Sequence, residues 1–216
     1  MSWRCLREAR RYLLLALGAE LAVLAAGGRR FGRLLGGTAL ASLLFFRDPE
    51  RRAPERTDLV YATADGVVVG VDRAPEPWLE GVEAVRVSTF LSIHNVHVTR
   101  SPVTGSVVRD EDLPGGFAPA LFRRAESNRR KRLAIDGRRG RVVVVQVAGL
   151  LARRITSWVG VGSPVAAGDR LALIHLGSRT EVLLPAHDAE VLVKVGARVR
   201  AGVTPVARYR AEANPA

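Results

Sequence analysis

From Asp48 onward, apolar positions come in short runs punctuated by Gly, Pro and Asp. The runs are DLVYATA (58–64), GVVVGV (66–71), EAVRVSTFLSI (83–93), GSVVRD (105–110), RVVVVQVAG (141–149), ITSWVGV (155–161), RLALIHL (170–176), TEVLLP (180–185), AEVLVKV (189–195) and VTPVARY (203–209). Their lengths and turn boundaries suit strands, and no helical crossover separates them. The pattern predicts a mainly β domain, a barrel or sandwich. One basic polar stretch, FRRAESNRRKR (122–132), interrupts the series and reads as a loop or short helix. G-x-x-V-x-A-G occurs twice, as GSPVAAG (162–168) and GARVRAG (196–202). Glycines repeated in this way mark turns that need positive φ. A strand-flanked pair of this kind has the form of a biotinyl/lipoyl-like pseudo-repeat.

The first 46 residues follow a different pattern. An arginine-rich start leads into the apolar run 12–28, broken only by Glu20, and a second run covers 34–46. Each run is shorter than the roughly 20 residues that cross a bilayer. A signal peptide, a buried helical pair and a membrane-associating anchor all fit, and the flanking arginines favour the anchor. The expected division is a helical, membrane-associated segment at 1–46 and a β-rich domain at 47–216.

Charge sharpens the choice of partner. The 33 basic residues against 21 acidic give a net +12, which calls for an anionic partner. Aromatic residues are few and not interleaved with basic ones, so a nucleic-acid stacking platform is not expected. Cys5 is the lone cysteine, which rules out a disulfide framework and an all-thiolate metal site; no metal is expected.

Candidate chemistry gathers in three places. Asp65 sits in ADG, where Asp-Gly is also an ordinary turn signal. His94 and His97 sit in FLSIHNVHVTRSPVTG with Asn95 and Arg100. Three residues apart, the two histidines face opposite sides unless the strand ends there. Ser178 follows Gly177 in IHLGSRT, where a Gly-Ser pair between two strand-like runs also reads as a hairpin turn. Asp65, a histidine and Ser178 are the parts of a carboxylate–base–nucleophile relay.

Six blocks occur in order: FFRDPER (45–51), ADG (64–66), FLSIHNVHVTRSPVTG (90–105), AESNRR (125–130), VQVAGLLARRI (145–155) and LIHLGSRTEVLLP (173–185). Together they resemble the short, archaeal-type phosphatidylserine decarboxylase proenzymes, from about residue 45 to 208. The resemblance implies self-cleavage between Gly177 and Ser178. A β chain of residues 1–177 and an α chain of residues 178–216 would remain together as a heterodimer, any higher assembly being open. Ser178 itself would become a pyruvoyl group, whose ketone draws electrons from the bound amino acid as CO2 leaves. The implied substrate is phosphatidylserine, converted to phosphatidylethanolamine at an anionic cell membrane, with the catalytic domain on the cytoplasmic side. Longer family members carry an H-x-x-H pair in the third block. The register taken here sets His97 against its first histidine and Arg100 against its second. His97, oriented by Asp65, is therefore expected to serve both cleavage and decarboxylation, with His94 the second candidate. His175 is expected to wall the pocket. The alternative is a non-enzymatic biotinyl-like carrier, but the hairpin tip lacks the lysine that a carrier needs.

Overall fold

The computed structural model describes residues 2–25, 37, 40, 44–54, 56–79, 81–118, 126–149, 154–175 and 178–210. The chain divides into two units, residues 1–50 and 51–216. In the first, helix α1 (Trp3–Ala25) carries exposed Trp3, Leu6, Leu14, Leu15, Leu17, Leu21 and Leu24. Its first two turns hold Arg4, Arg7, Glu8 and Arg10. The apolar part beyond them rises only about 20 Å, against a hydrocarbon core of about 30 Å. Accordingly, no helix among the described residues is long and apolar enough to cross a membrane. Tyr12 packs on Phe46, with ring centroids 5.3 Å apart. Most of the second apolar run lies outside the described residues.

The second unit is built of strands β1 (Leu59–Tyr61), β2 (Gly66–Pro75), β3 (Glu83–Leu91), β4 (Val98–Arg100), β5 (Gly105–Leu113), β6 (Arg130–Gly137), β7 (Gly140–Val147), β8 (Ile155–Ser157), β9 (Pro164–Val165), β10 (Arg170–Ile174), β11 (Ser178–Pro185), β12 (Ala189–Val191), β13 (Arg198–Val199) and β14 (Pro205–Tyr209). An eight-stranded sheet, in the order β13-β2-β3-β11-β7-β6-β5-β9, curls into a half-barrel. Two three-stranded sheets, β1-β14-β12 and β4-β10-β8, complete the unit. The mainly β expectation holds.

Strand alternation explains the core. Opposed residues Val85, Val87, Val142, Val144, Val182 and Leu184 share the concave cluster, and Val143, Val145, Val147 and Leu183 share the other face. The basic stretch 122–132 departs from expectation. Its first residues fall outside the described set, but 130–132 open β6. Charge hid the alternation there. Lys131 is buried because Asp110 (2.6 Å) and Asp112 (3.2 Å) on β5 neutralise it, and Arg132 lies 4.0 Å over the Trp78 ring on the opposite face.

The repeat has a structural use. Gly162, Gly168, Gly196 and Gly202 all have positive φ, as expected. Strands β9 and β13 belong to the two copies and form the two edges of the large sheet. The turns after them meet: a Cβ on Gly202 would stand 2.8 Å from Gly168 Cα. That contact draws the edges together and leaves no space for a methyl group. Gly202→Ala is expected to lower stability by about 1–3 kcal/mol, read from urea unfolding.

At the closing edge, burial pushes the Tyr209 phenol from 10.0 up to about 12. A phenol raised on folding contributes stability that is complete below its unfolded value and is lost as pH rises through the folded one. Stability should therefore fall between about pH 10 and 12, by on the order of 2 kcal/mol from this group. Tyr209→Phe should flatten that part of the unfolding profile.

Candidate active site

Strand β11 is buried at seven consecutive positions, Ser178 to Leu184. A strand covered on both faces needs a partner along each edge, and β11 takes β3 and β7. No edge is left for β10, which pairs instead with β4 and β8. Strands β10 and β11 therefore belong to different sheets and do not form a hairpin. Gly177 lies outside the described residues. Ser178 opens β11, is 0% exposed, and its Oγ has no hydrogen-bond partner among the described residues.

The histidine block lies beside the start of β11. Ser178 is opposite Leu91, the last residue of β3, and the Ile174 amide donates to the His97 carbonyl at 3.1 Å. The two attachments thus lie on either side of residues 92–96. Because β3 ends at Leu91, neither histidine is governed by strand alternation. Asn95 builds the turn between them: its Oδ1 accepts from the Ser92 amide (2.9 Å) and hydroxyl (2.8 Å). The Asn95 carbonyl then accepts from His97 Nδ1 at 2.9 Å. A carbonyl can only accept, so Nδ1 carries the proton, and the neutral ring presents Nε2 as its basic atom. His97 is fully buried, whereas His94 is exposed.

Asp65 is held otherwise than expected. Arg51 donates to both of its oxygens, with NH2 to Oδ2 at 2.7 Å, and the Ala201 amide donates to Oδ1 at 2.9 Å. Among the described residues these are its hydrogen bonds, while His97 Nδ1 donates to the Asn95 carbonyl. The ladder nevertheless brings the two segments together. Tyr61 N donates to Pro102 O, and Arg100 N to Thr63 O. Gly66 fixes the approach of this segment to β3, since a Cβ there would lie 2.0 Å from the Phe90 carbonyl oxygen. Gly66→Ala must displace the Asp65 segment. A loss of about 1–3 kcal/mol is expected, together with a larger uncut fraction on a denaturing gel.

Arg100 closes β4. Its side chain is buried and donates to the Gly168 carbonyl at 2.8 Å, so it braces the glycine turn at the far end of β4. His94 and His97 themselves stand three residues apart. His175 is 3% exposed and lies 3.3 Å, Nε2 to Oγ1, from Thr156. Asn128, from the AESNRR block, clamps Ala118 and Ala148 through three 2.7 Å bonds.

Sequence reading missed Arg51 and a buried polar row beside Ser178. Across three adjacent strands, Thr89, Thr180 and Gln146 stand opposite one another. They lie on the face that carries Ser178, and Gln146 Nε2 reaches Thr99 Oγ1 at 3.2 Å. A glutamine within the valine run VVVVQV was the available signal.

Comparison with known proteins gives concordant results. Residues 39–207 match the family model for phosphatidylserine decarboxylase. A phosphatidylserine decarboxylase proenzyme from Symbiobacterium thermophilum is 48% identical over 180 residues, covering 82% of this chain and 83% of the relative. One from Azorhizobium caulinodans is 45% identical over 185 residues, covering 84% and 79%. One from Streptomyces griseus is 42% identical over 202 residues, covering 90% and 89%.

Proposed function

The chain belongs to the phosphatidylserine decarboxylase family, and from that premise we propose that it cuts itself at Gly177–Ser178 and decarboxylates phosphatidylserine at a membrane surface. The observation that carries this reading is Ser178: a fully buried hydroxyl without a partner among the described residues, at the start of β11 opposite the end of β3, which leads into the His97 turn. A buried unsatisfied hydroxyl costs about 1–3 kcal/mol, so it asks for a reason. Serving as the nucleophile against the Gly177 carbonyl supplies one. Glycine before it leaves that carbonyl uncrowded. His97 Nε2 takes the serine proton, and the Asn95 carbonyl holds the ring in the required tautomer. Asp65 stabilises the imidazolium once Arg51 yields one of its oxygens.

After cleavage, Ser178 supplies the pyruvoyl group, which acts as an electron sink for the departing CO2. The position fits such a group, because Ser178 and Leu91 opposite it are both fully buried. The two chains stay together by interleaving. In the α chain, β11 lies between β3 and β7, β13 lies on β2, and β14 lies on β1.

Two features support membrane association. Helix α1 exposes a series of leucines beside arginines, the composition of an interfacial helix. In the second unit, a cavity of about 730 Å³ is lined by Arg51, Arg52, Arg56, Arg138 and Arg139, suited to anionic headgroups. The test is decarboxylation of labelled phosphatidylserine in anionic vesicles by purified protein, with chain masses measured on the same sample. Cut protein that releases no CO2 from that lipid would refute the substrate assignment.

A further inference from the structure

The buried polar row beside Ser178 has a definite hydrogen-bond polarity. Thr99 Oγ1 donates its single proton to the Ala172 carbonyl at 3.2 Å, so it must accept from Gln146 Nε2. This fixes the Gln146 amide and leaves Oε1 as an acceptor. Oε1 has no donor among the described residues, and Gln146 is 0% exposed. Across the ladder, Thr180 is 1% exposed and its Oγ1 is likewise without a partner among the described residues. Ser178 is on the same face two residues along β11, about 7 Å away. Three orphan polar atoms thus gather at the reactive end of a core that is otherwise apolar. Each lies on a side chain more than nine-tenths buried.

We propose that Gln146 and Thr180 bind the water molecule that completes maturation at residue 178. The inference rests on the self-cleavage reading above. In that reading, the ester formed when Ser178 Oγ attacks Gly177 eliminates: the Cα proton leaves, the Gly177 carboxylate departs with the Oγ, and a dehydroalanine end remains. Its imine tautomer takes up one water. The water oxygen becomes the ketone oxygen and the nitrogen leaves as ammonia, with no oxidant or reductant involved. That water must be held at a residue sealed from solvent. A buried water needs about two to four polar partners. Gln146 Oε1 accepts one of its protons, and Thr180 Oγ1 accepts the other or donates to its oxygen. The remaining lone pair is free to attack. Both residues act through the water and are positioning residues.

The test separates cutting from hydration. Full-length Gln146→Leu and Thr180→Val proteins are reduced with borohydride while native, then unfolded and analysed. A ketone end becomes lactyl, which blocks Edman degradation. An imine end becomes alanyl, which reads Ala-Arg-Thr in Gln146→Leu and Ala-Arg-Val in Thr180→Val. The expected result is cut protein in both variants, with the alanyl fraction raised at least tenfold over wild type and restored by Thr180→Ser. Cut variants with a wholly lactyl end overturn the proposal. So does uncut protein from both variants, because the pair then serves folding or cleavage rather than hydration. If wild-type protein itself is not cut at 177/178, the self-cleavage reading fails instead.

Discussion

Ser178→Ala yields one uncut chain that releases no CO2 from phosphatidylserine, and it is no less stable than wild type. The three outcomes come from one atom. Without Oγ there is nothing to attack Gly177 and nothing to become a ketone, so denaturing mass spectrometry shows a single species. The stability result discriminates further. A hydroxyl that helps hold a fold makes hydrogen bonds, and its removal costs about 1 kcal/mol. Ser178 Oγ is buried with no partner among the described residues. Its deletion removes an unsatisfied polar atom, and alanine fits wherever serine did. Comparison with a wild-type sample trapped before cutting isolates the effect. A melting midpoint several degrees lower for Ser178→Ala would show that the hydroxyl is structural.

His97→Gln slows cutting by about 10²–10⁴-fold, the usual contribution of a positioned base, whereas His94→Gln cuts at close to the wild-type rate. The contrast follows from placement. His97 is buried, fixed by the Asn95 carbonyl, and its own carbonyl is tied to Ile174, three residues before the scissile bond. His94 is exposed on the turn. Pulse-labelled protein followed by gel gives the rates. Equal cutting of His97→Gln and wild type would remove His97 from the cleavage step. Asp65→Asn should fall between the two. It weakens the pairing with Arg51, and weakening the ion pair of a largely buried guanidinium is costly.

Sequence alone determined the β-rich domain, because strand periodicity and glycine turns are local. It also determined the family, because six ordered blocks survive as linear patterns. Asn95 and His97 were legible as a neighbouring pair, since their hydrogen bond spans only two residues. Tertiary structure decided the rest. Strand β6 was invisible because its buried lysine is tolerated only through Asp110 and Asp112, about 20 residues earlier in the chain. The Gly-Ser step resembled a hairpin because adjacency in sequence says nothing about which edge a strand finds. Burial on both faces sent β11 between β3 and β7 and left β10 to another sheet. The partner of Asp65 lies 14 residues earlier on Arg51. The Thr89–Thr180–Gln146 row exists only once three distant strands fall into register. Local patterns fix what each segment is; long-range pairing fixes which polar groups are left facing the reactive serine.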